Sequence, residues 1–383
     1  MSLLEKYYTQ EHKIFRESIR RYFEKEVTPY VDQWEKDGIV PKEVWRNFGR
    51  QGFLCPWLPE EYGGVGADFL YSLISIEEVS RTHCSGFAFP LQTDIIVPYI
   101  YNFCNEEQKQ RWLPGCASGD IITAVAMTEP GTGSDLAAIR TTAVKEGDHY
   151  IINGQKTFIS NGINSDLVLV AALTNPKADP VYTGISLIAV EDGTEGFERG
   201  RNLDKIGMHS QDTAEMAFVD CRVPAENLIG EEGSGFYYLM QELQQERIAS
   251  AMMSQVAAEE ALRLTIEYAR SREAFGRPIS RFQYISFELA KMATEVELGR
   301  TFLESLIIDH MEGNQIVKKA SMAKYWIAEM LNRVVEQCVQ FHGGYGYMEE
   351  YPIARLFRDA RVQTIYAGTS EIMLLIISRS LGL

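Results

Sequence analysis

The stretch QELQQERIAS, residues 241–250, places a carboxylate and a guanidinium side by side where little else is charged. At about 100° per residue, a helix through this segment gathers Phe236, Leu239, Leu243, Ser250, Ser254, Ala257 and Ala261 on one face. Glu242, Glu259, Glu260, Arg263 and Glu267 gather on the other. Glu246 and Arg247 join neither group; they flank the apolar stripe, roughly 50° to either side. A carboxylate in so dry a position is a candidate for proton transfer, because desolvation moves its pKa up toward the working pH. The competing account is a structural ion pair with Arg247 or another residue, which contributes little stability when buried.

Five further motifs have residue types suited to holding a ligand, and each also has a plain structural reading. MTEPGTGSD, residues 127–135, leaves a strand with glycines and small hydroxyls that expose backbone N–H groups to a flat or anionic ligand. Taken alone, the motif reads more simply as a Gly-rich hairpin turn. No GK[ST] follows it and no GxGxxG opens a helix in a βαβ unit, so the common triphosphate and nicotinamide loops are excluded. KTFISNG, residues 156–162, sets Phe158, Ile159 and Ser160 on a strand edge, or simply on a sheet face. SREAFGRPISRFQ, residues 271–283, clusters Arg272, Arg277 and Arg281 with Phe275 and Gln283 around a helix break. In an acidic chain this suits a phosphate group, or a solvated turn. QFHGGYGYMEEYP, residues 340–352, is rich in Gly and Tyr, as close contact with a planar group or a tight helix connection requires. IYAGTSEI, residues 365–372, breaks a helical pattern and offers Thr369, Ser370 and Glu371.

The elements that must position these motifs follow from periodicity. Residues 1–120 read as helices, with Ile14, Phe15, Ile19, Tyr22 and Phe23 at helical spacing and later segments at Pro41–Gln51, Leu70–Arg81 and Glu106–Trp112. LPEEYGGVGAD is a loop. Over residues 121–230 the pattern changes to ITAVAMTE, HYIINGQKTFISNG, DLVLVAAL, GISLIAVE and AEMAFVDCRV, which predicts an antiparallel β unit, a barrel or sandwich. Residues 231–383 return to helix in four long stretches near 235–272, 280–311, 315–341 and 350–380. The class is therefore α+β, with a β domain between two helical ones. A net charge of −16 argues against nucleic-acid or anionic-membrane partners, and no run of about 18 apolar residues predicts membrane insertion. Six cysteines without CxxC spacing read as reduced, mostly buried thiols. Six scattered histidines predict no metal site. MSLLEKYYTQEHK carries no apolar core of signal length, so a cytoplasmic protein is expected, or a mature form in the mitochondrial matrix.

Taken together, MTEPGTGSD, KTFISNG, SREAFGRP, HGGYGY and IYxGTSE, in that order, resemble the acyl-CoA dehydrogenase family over essentially the whole chain. The resemblance implies an N-terminal helical domain, a middle β domain and a C-terminal four-helix bundle. It also implies FAD, oxidation of the Cα–Cβ bond of an acyl-CoA thioester to a trans-2-enoyl-CoA, electron delivery to an electron-transfer flavoprotein, and a homotetramer. By the same resemblance Val125, Ala126, Met127, Thr128, Gly133 and Ser134, with Phe158, Ile159 and Ser160, would line the flavin and its pyrophosphate. Arg272, Phe275 and Gln283, with the turn Gln340, Phe341, Gly343 and Gly344, would bind the FAD of a neighbouring subunit, and Thr369, Ser370 and Glu371 would close the site. Ser134, Tyr237, Gln244, Gln245, Arg247, Ala367 and Gly368 would face the acyl-CoA.

One position departs from the commoner family pattern. Many members carry their catalytic glutamate in IYEGT, and here that position is Ala367. In the long-chain and isovaleryl branches the base comes instead from a QER- or LER-like segment of the long helix, and the IYEGT position is small. Glu246 with Ala367 matches that arrangement, and the motifs sit nearest the long-chain branch. Glu246 is therefore the expected α-proton acceptor, in fatty-acid or branched-acyl degradation. Acyl-CoA oxidase, a non-catalytic or repair-associated flavoprotein, and a flavin monooxygenase of the same fold are the alternatives.

Overall fold

The computed structural model describes residues 2–383. The N-terminal helices are α1 (Gln10–Glu26), α2 (Val31–Asp37), α3 (Lys42–Arg50), α4 (Phe69–Arg81), α5 (Val97–Phe103) and α6 (Glu106–Ser118). Two of them start at reciprocal caps: Thr9 with His12 opens α1, and Asn105 with Gln108 opens α6. The sequence reading separated neither α2 nor α5, which continues a π-helical stretch over Leu91–Ile96. Nearly every residue of 91–100 is buried, so no amphipathic stripe marks this helix.

The middle unit holds β1 (Thr123–Ala126), β2 (Thr142–Glu146), β3 (His149–Ser160), β4 (Leu167–Leu173), β5 (Ile185–Glu191), β6 (Phe197–Asn202), β7 (Thr213–Pro224) and β8 (Leu228–Ile229). They join as β6-β7-β3-β2-β4-β5-β8, with β1 beside β4. The sheet is not wholly antiparallel as expected: β1 runs parallel to β4, from Thr123 opposite Leu167 to Ala126 opposite Val170. The β2–β3 hairpin lies between them in sequence and acts as the crossover that a parallel pair requires. DLVLVAAL is apolar throughout because β4 is covered on both faces. Leu167, Leu169 and Ala171 pack toward α5 and α6, and Val168, Val170 and Ala172 pack into the β core. β6 escaped the reading because its residues FERGRN are mostly charged or small.

The C-terminal unit contains α7 (Gly235–Ser271), a ribbon of β9 (Glu273–Ala274) and β10 (Arg277–Pro278), α8 (Gln283–Met311), α9 (Val317–His342), α10 (Pro352–Ala360) and α11 (Ser370–Ser380). The fourth stretch expected to be one helix is thus two. Between them Ala367 and Gly368 adopt left-handed backbone (φ 55° and 86°), and Thr369 caps α11 by accepting the Ile372 N–H (3.3 Å). The first part of the charged face of α7 is covered, while Arg263 and Glu267 farther along stay exposed. Glu260 takes Arg81 of α4 (2.7 Å), Glu259 takes Arg300 of α8 (2.7 Å), and buried Glu242 accepts from Asn102 (2.9 Å). Arginines on neighbouring helices cover Glu259 and Glu260, so the middle of α7 is packed on both sides.

Candidate active site

The first two motifs meet through a buried lysine. Thr157 N–H of β3 donates to Thr128 O (2.9 Å), and Lys156 Nζ donates to Met127 O and to Glu129 Oε1 (both 2.9 Å). Glu129 also accepts the backbone N–H groups of Arg140 and Thr141 (2.7 and 2.9 Å), so one carboxylate folds the whole loop back on itself. Burial pulls Lys156 down to about 8 against the opposing pull of Glu129. Burial also works against the charge on Glu129, yet its bonds to Thr141 and Lys156 hold it below the usual carboxylate range. A pair so enclosed fixes the relative position of MTEPGTGSD and KTFISNG.

On this base Phe158 has a left-handed backbone (φ 59°) and leaves 69 % of its surface exposed. A large aromatic held in strain and offered to solvent is a feature of ligand sites. Gly133 and Ser134 are exposed and Val125, Met127, Thr128 and Ser160 are half-buried; Ala126 and Ile159 lie in the β core, so they reach a ligand only through their backbone. A Cβ added at Gly131, Gly133, Gly343 or Gly344 would meet nothing within 4 Å, which leaves backbone open to a flat group in both glycine motifs.

The third and fourth motifs share a cavity of about 460 Å³, lined by Arg272, Phe341, Gly343, Gly344, Tyr345 and neighbours. Arg272 lies over the Tyr345 ring at 5.7 Å. Phe275 is 96 % exposed, and Gln283 and Gln340 are exposed on the same unit without lining this cavity. A guanidinium, aromatic rings and bare glycine backbone form a donor set that suits a dinucleotide's phosphate and planar ring. The residues present therefore fit FAD, on the β-domain loop and on this surface. A larger cavity, about 550 Å³, lies among Tyr8, Arg16, Glu77, Glu259 and Arg300. Its charges pair with one another, and none of the ligand motifs reaches it.

Glu246 projects from α7, the helix packed against α9, and is half-buried rather than sealed. Burial pushes its carboxyl to about 7, although Arg247 and Lys324 pull the other way. Its charge in turn reaches Tyr99 of α5 and Tyr366 of the 365–369 turn, raising both phenols beyond what burial does. The turn that carries Ala367 therefore lies within electrostatic reach of Glu246. Arg247 is buried and bonded to Gln244 (3.3 Å), with its Nε unpartnered; Ser250 Oγ and Tyr366 Oη are also buried without partners. Such orphaned polar atoms around a carboxylate leave capacity for a polar ligand group. Gln245 is used differently, donating to Asp94 O (2.8 Å) and tying α7 to the π-helical stretch. Tyr237 is exposed nine residues earlier, about 14 Å along the helix axis. Thr369 serves as the α11 cap, Ser370 Oγ donates to Glu329 (2.6 Å), and Glu371 is exposed.

Two groups in this region were not singled out from sequence. Lys324 of α9 is fully buried and donates to Gly368 O at 2.5 Å. Its signal was available: Ala320, Lys324, Ile327 and Leu331 share one helical face, so a cation sits in an apolar stripe as Glu246 does. Asp94 is 1 % exposed, with neither carboxylate oxygen partnered, and burial pushes it to about 7. Nothing in its local pattern marks it, because Gln92, Thr93 and Asp94 stand together as a short polar run that reads as a solvated turn, whereas all three are buried. All six cysteines are free and buried.

Comparison with known proteins accounts for this arrangement. Three sequence profiles match in order: "Acyl-CoA dehydrogenase, N-terminal domain" over residues 9–120, the middle domain over 124–221 and the C-terminal domain over 233–382. The chain is 47 % identical over 374 residues to the long-chain specific acyl-CoA dehydrogenase, mitochondrial, of Rattus norvegicus, covering 98 % of this chain and 87 % of that one. The crystal structure of an acyl-CoA dehydrogenase from Geobacillus kaustophilus is 55 % identical and superimposes with a TM-score of 0.98 over 100 % of both chains. A glutaryl-CoA dehydrogenase from Mycobacterium smegmatis, described in complex with FADH2, is 29 % identical with a TM-score of 0.90, covering 98 % of this chain and 96 % of that one. With the helical, β and helical domains in the family's order, the chain belongs to the acyl-CoA dehydrogenase family of oxidoreductases.

Proposed function

We propose that this protein oxidises the Cα–Cβ bond of a long-chain acyl-CoA thioester to the trans-2-enoyl-CoA, with Glu246 as the α-proton acceptor. The observation that carries the reading is Glu246 itself. It is a carboxylate raised to about 7 yet not fully sealed, with small Ala367 on a turn within its electrostatic reach. An α-proton of a thioester is weakly acidic, so its removal needs a desolvated base and a stabilised enolate-like oxygen. Bound FAD supplies the acceptor for the hydride that leaves the β-carbon. This chain's residues do the rest. Glu246 takes the proton on its carboxylate. The apolar walls of α7 and α9 exclude water, and the strained Phe158 and the glycine backbone orient the planar ring.

The preference for long chains rests on the 47 % identity with the rat enzyme of that name. Electron-transfer flavoprotein is the proposed acceptor, by the family resemblance. A homotetramer is proposed because Phe275, Tyr284, Phe287 and Tyr347 leave 96, 66, 57 and 83 % of their surfaces exposed on the C-terminal unit. An anaerobic titration of the flavin spectrum with acyl-CoAs of increasing length and with isovaleryl-CoA tests the reading. Bleaching by long thioesters in the wild type, and its loss in Glu246→Gln, is the expected result. A flavin that stays oxidised with every thioester overturns it.

A further inference from the structure

The 365–369 turn is held in an unfavourable backbone conformation, with Ala367 at φ 55° and Gly368 at φ 86°. A Cβ at Gly368 would lie 2.6 Å from Met373 Cε, so the turn also packs closely onto α11. Such a conformation persists only where its surroundings over-determine it. The group that does so from the bundle is Lys324, whose ammonium donates to the Gly368 carbonyl at 2.5 Å. That is its one hydrogen bond among the described residues, and its salt-bridge partners within 4 Å number none among them. A fully buried ammonium with a single neutral acceptor is costly to maintain. The charges within its influence are Glu246 and Arg247 from α7, Glu329 from its own helix and Glu371 from α11. Glu329 is engaged by Ser370, and Glu371 is exposed at the α11 N-terminus. Glu246 is the remaining anion of that set, on α7, the helix packed against α9. Around Glu246 the other groups are Arg247 on α7 and the phenols of Tyr99 and Tyr366.

We infer that Lys324 is the positioning residue of the proton acceptor: anchored on Gly368 O, it holds the 365–369 turn against the bundle and supplies positive charge that favours the ionised form of Glu246. This rests on Glu246 being the base. Arg247 is the larger of the two charges acting on Glu246, but it is tied back along α7 to Gln244, whereas Lys324 comes from a different helix and is bonded to the turn. Burial lowers Lys324 to about 8, partly offset by Glu246, so it is still charged at the neutral pH where Glu246 must accept a proton.

The test compares the wild-type holoenzyme with Lys324→Arg, Lys324→Gln and Lys324→Met, using anaerobic stopped-flow bleaching by a saturating long-chain acyl-CoA from pH 5.5 to 9. Arginine keeps the charge, glutamine keeps only a donor for Gly368 O, and methionine keeps neither. The expected result is an acidic limb moved upward by about one pH unit in the Gln and Met variants, a rate loss of about tenfold at pH 6. The Arg variant is expected to retain the wild-type limb. A second readout needs no turnover: the infrared band of the protonated Glu246 carboxyl, identified by its absence in Glu246→Gln, is expected to titrate at higher pH in Lys324→Gln. Unmoved limbs and an unmoved carboxyl band in the neutral variants overturn the inference. So does a rate loss equal at every pH, which leaves Lys324 as a tether only. If Lys324→Met does not fold, Lys324→Gln against Lys324→Arg decides the same question. Wild-type bleaching in Glu246→Gln would instead remove the underlying reading, whatever the Lys324 variants do.

Discussion

Replacing Glu246 by Gln is expected to abolish turnover and to make the protein more stable, with both effects following from one buried carboxyl. Glutamine has nearly the same volume, so no cavity opens. Loss of a positioned general base costs 10²–10⁴ in rate, so flavin bleaching is expected to slow by about a thousandfold. The wild-type rate itself should fall about tenfold from pH 8 to pH 6, because a carboxyl at about 7 is mostly protonated at the lower value. For stability, the folded carboxyl stands at about 7 against an ordinary value of 4.5. Between those two pH values the folded chain binds a proton that the unfolded chain has released. Its ionisation therefore destabilises the fold progressively as pH rises, and the loss is complete above about 7. At about 1.4 kcal/mol per pH unit the full gap is about 3 kcal/mol, which partial solvent access to the side chain reduces to about 1–2 kcal/mol. Glutamine avoids this cost, so urea denaturation should show the variant more stable than wild type by that amount at pH 8 and by almost nothing at pH 4.5. A gain that is equal at both pH values would refute the argument from ionisation, and wild-type bleaching in the variant would refute the assignment of the base.

Breaking the buried Lys156–Glu129 pair by Lys156→Met should destabilise by about 3–5 kcal/mol, because a carboxylate is left enclosed without its cation; chemical denaturation measures it, and a neutral effect would show that the pair does not hold the two loops. Phe158→Ala should lower the flavin-to-protein absorbance ratio while leaving the unfolding temperature within about a degree, since an exposed ring contributes little to core packing. A drop in unfolding temperature with unchanged flavin content would mark Phe158 as a packing residue instead. Asp94→Asn separates the two raised carboxyls. Asp94 is sealed, so bleaching should continue at the wild-type rate, and stability at pH 8 should rise because its carboxyl, ordinarily 3.8, stands at about 7 in the folded state. Loss of bleaching in that variant would make Asp94 part of the proton path.

Sequence alone carried further for the site than for the fold's details. The Glu246 position followed from a helical wheel, because a wheel needs only the 3.6-residue repeat and α7 is an unbroken helix of 37 residues. The same count on α9 places Lys324 in an apolar stripe with Ala320, Ile327 and Leu331. Helix α5 was not separable, because a segment buried on every side has no polar face to mark its period. The parallel β1–β4 pairing was equally hidden, since strand patterns record which face is buried and not which neighbour lies alongside. The partners of Glu260 and Glu259 were hidden too: Arg81 and Arg300 lie 179 and 41 residues away in the chain and meet them only across packed helices.

Residue types and their spacing determined the order of helical, β and helical domains, the ligand motifs, and the placing of one carboxylate beside an apolar stripe, because these depend on short-range periodicity and covalent geometry. Tertiary structure decided how those parts meet. Lys156 joins two loops, Lys324 joins the 365–369 turn to the bundle beside Glu246, and the packing around Glu246 raises its pKa. Desolvation and charge–charge coupling depend on distance through space, and the chain sets those distances only when α7, α9 and the 365–369 turn have packed together.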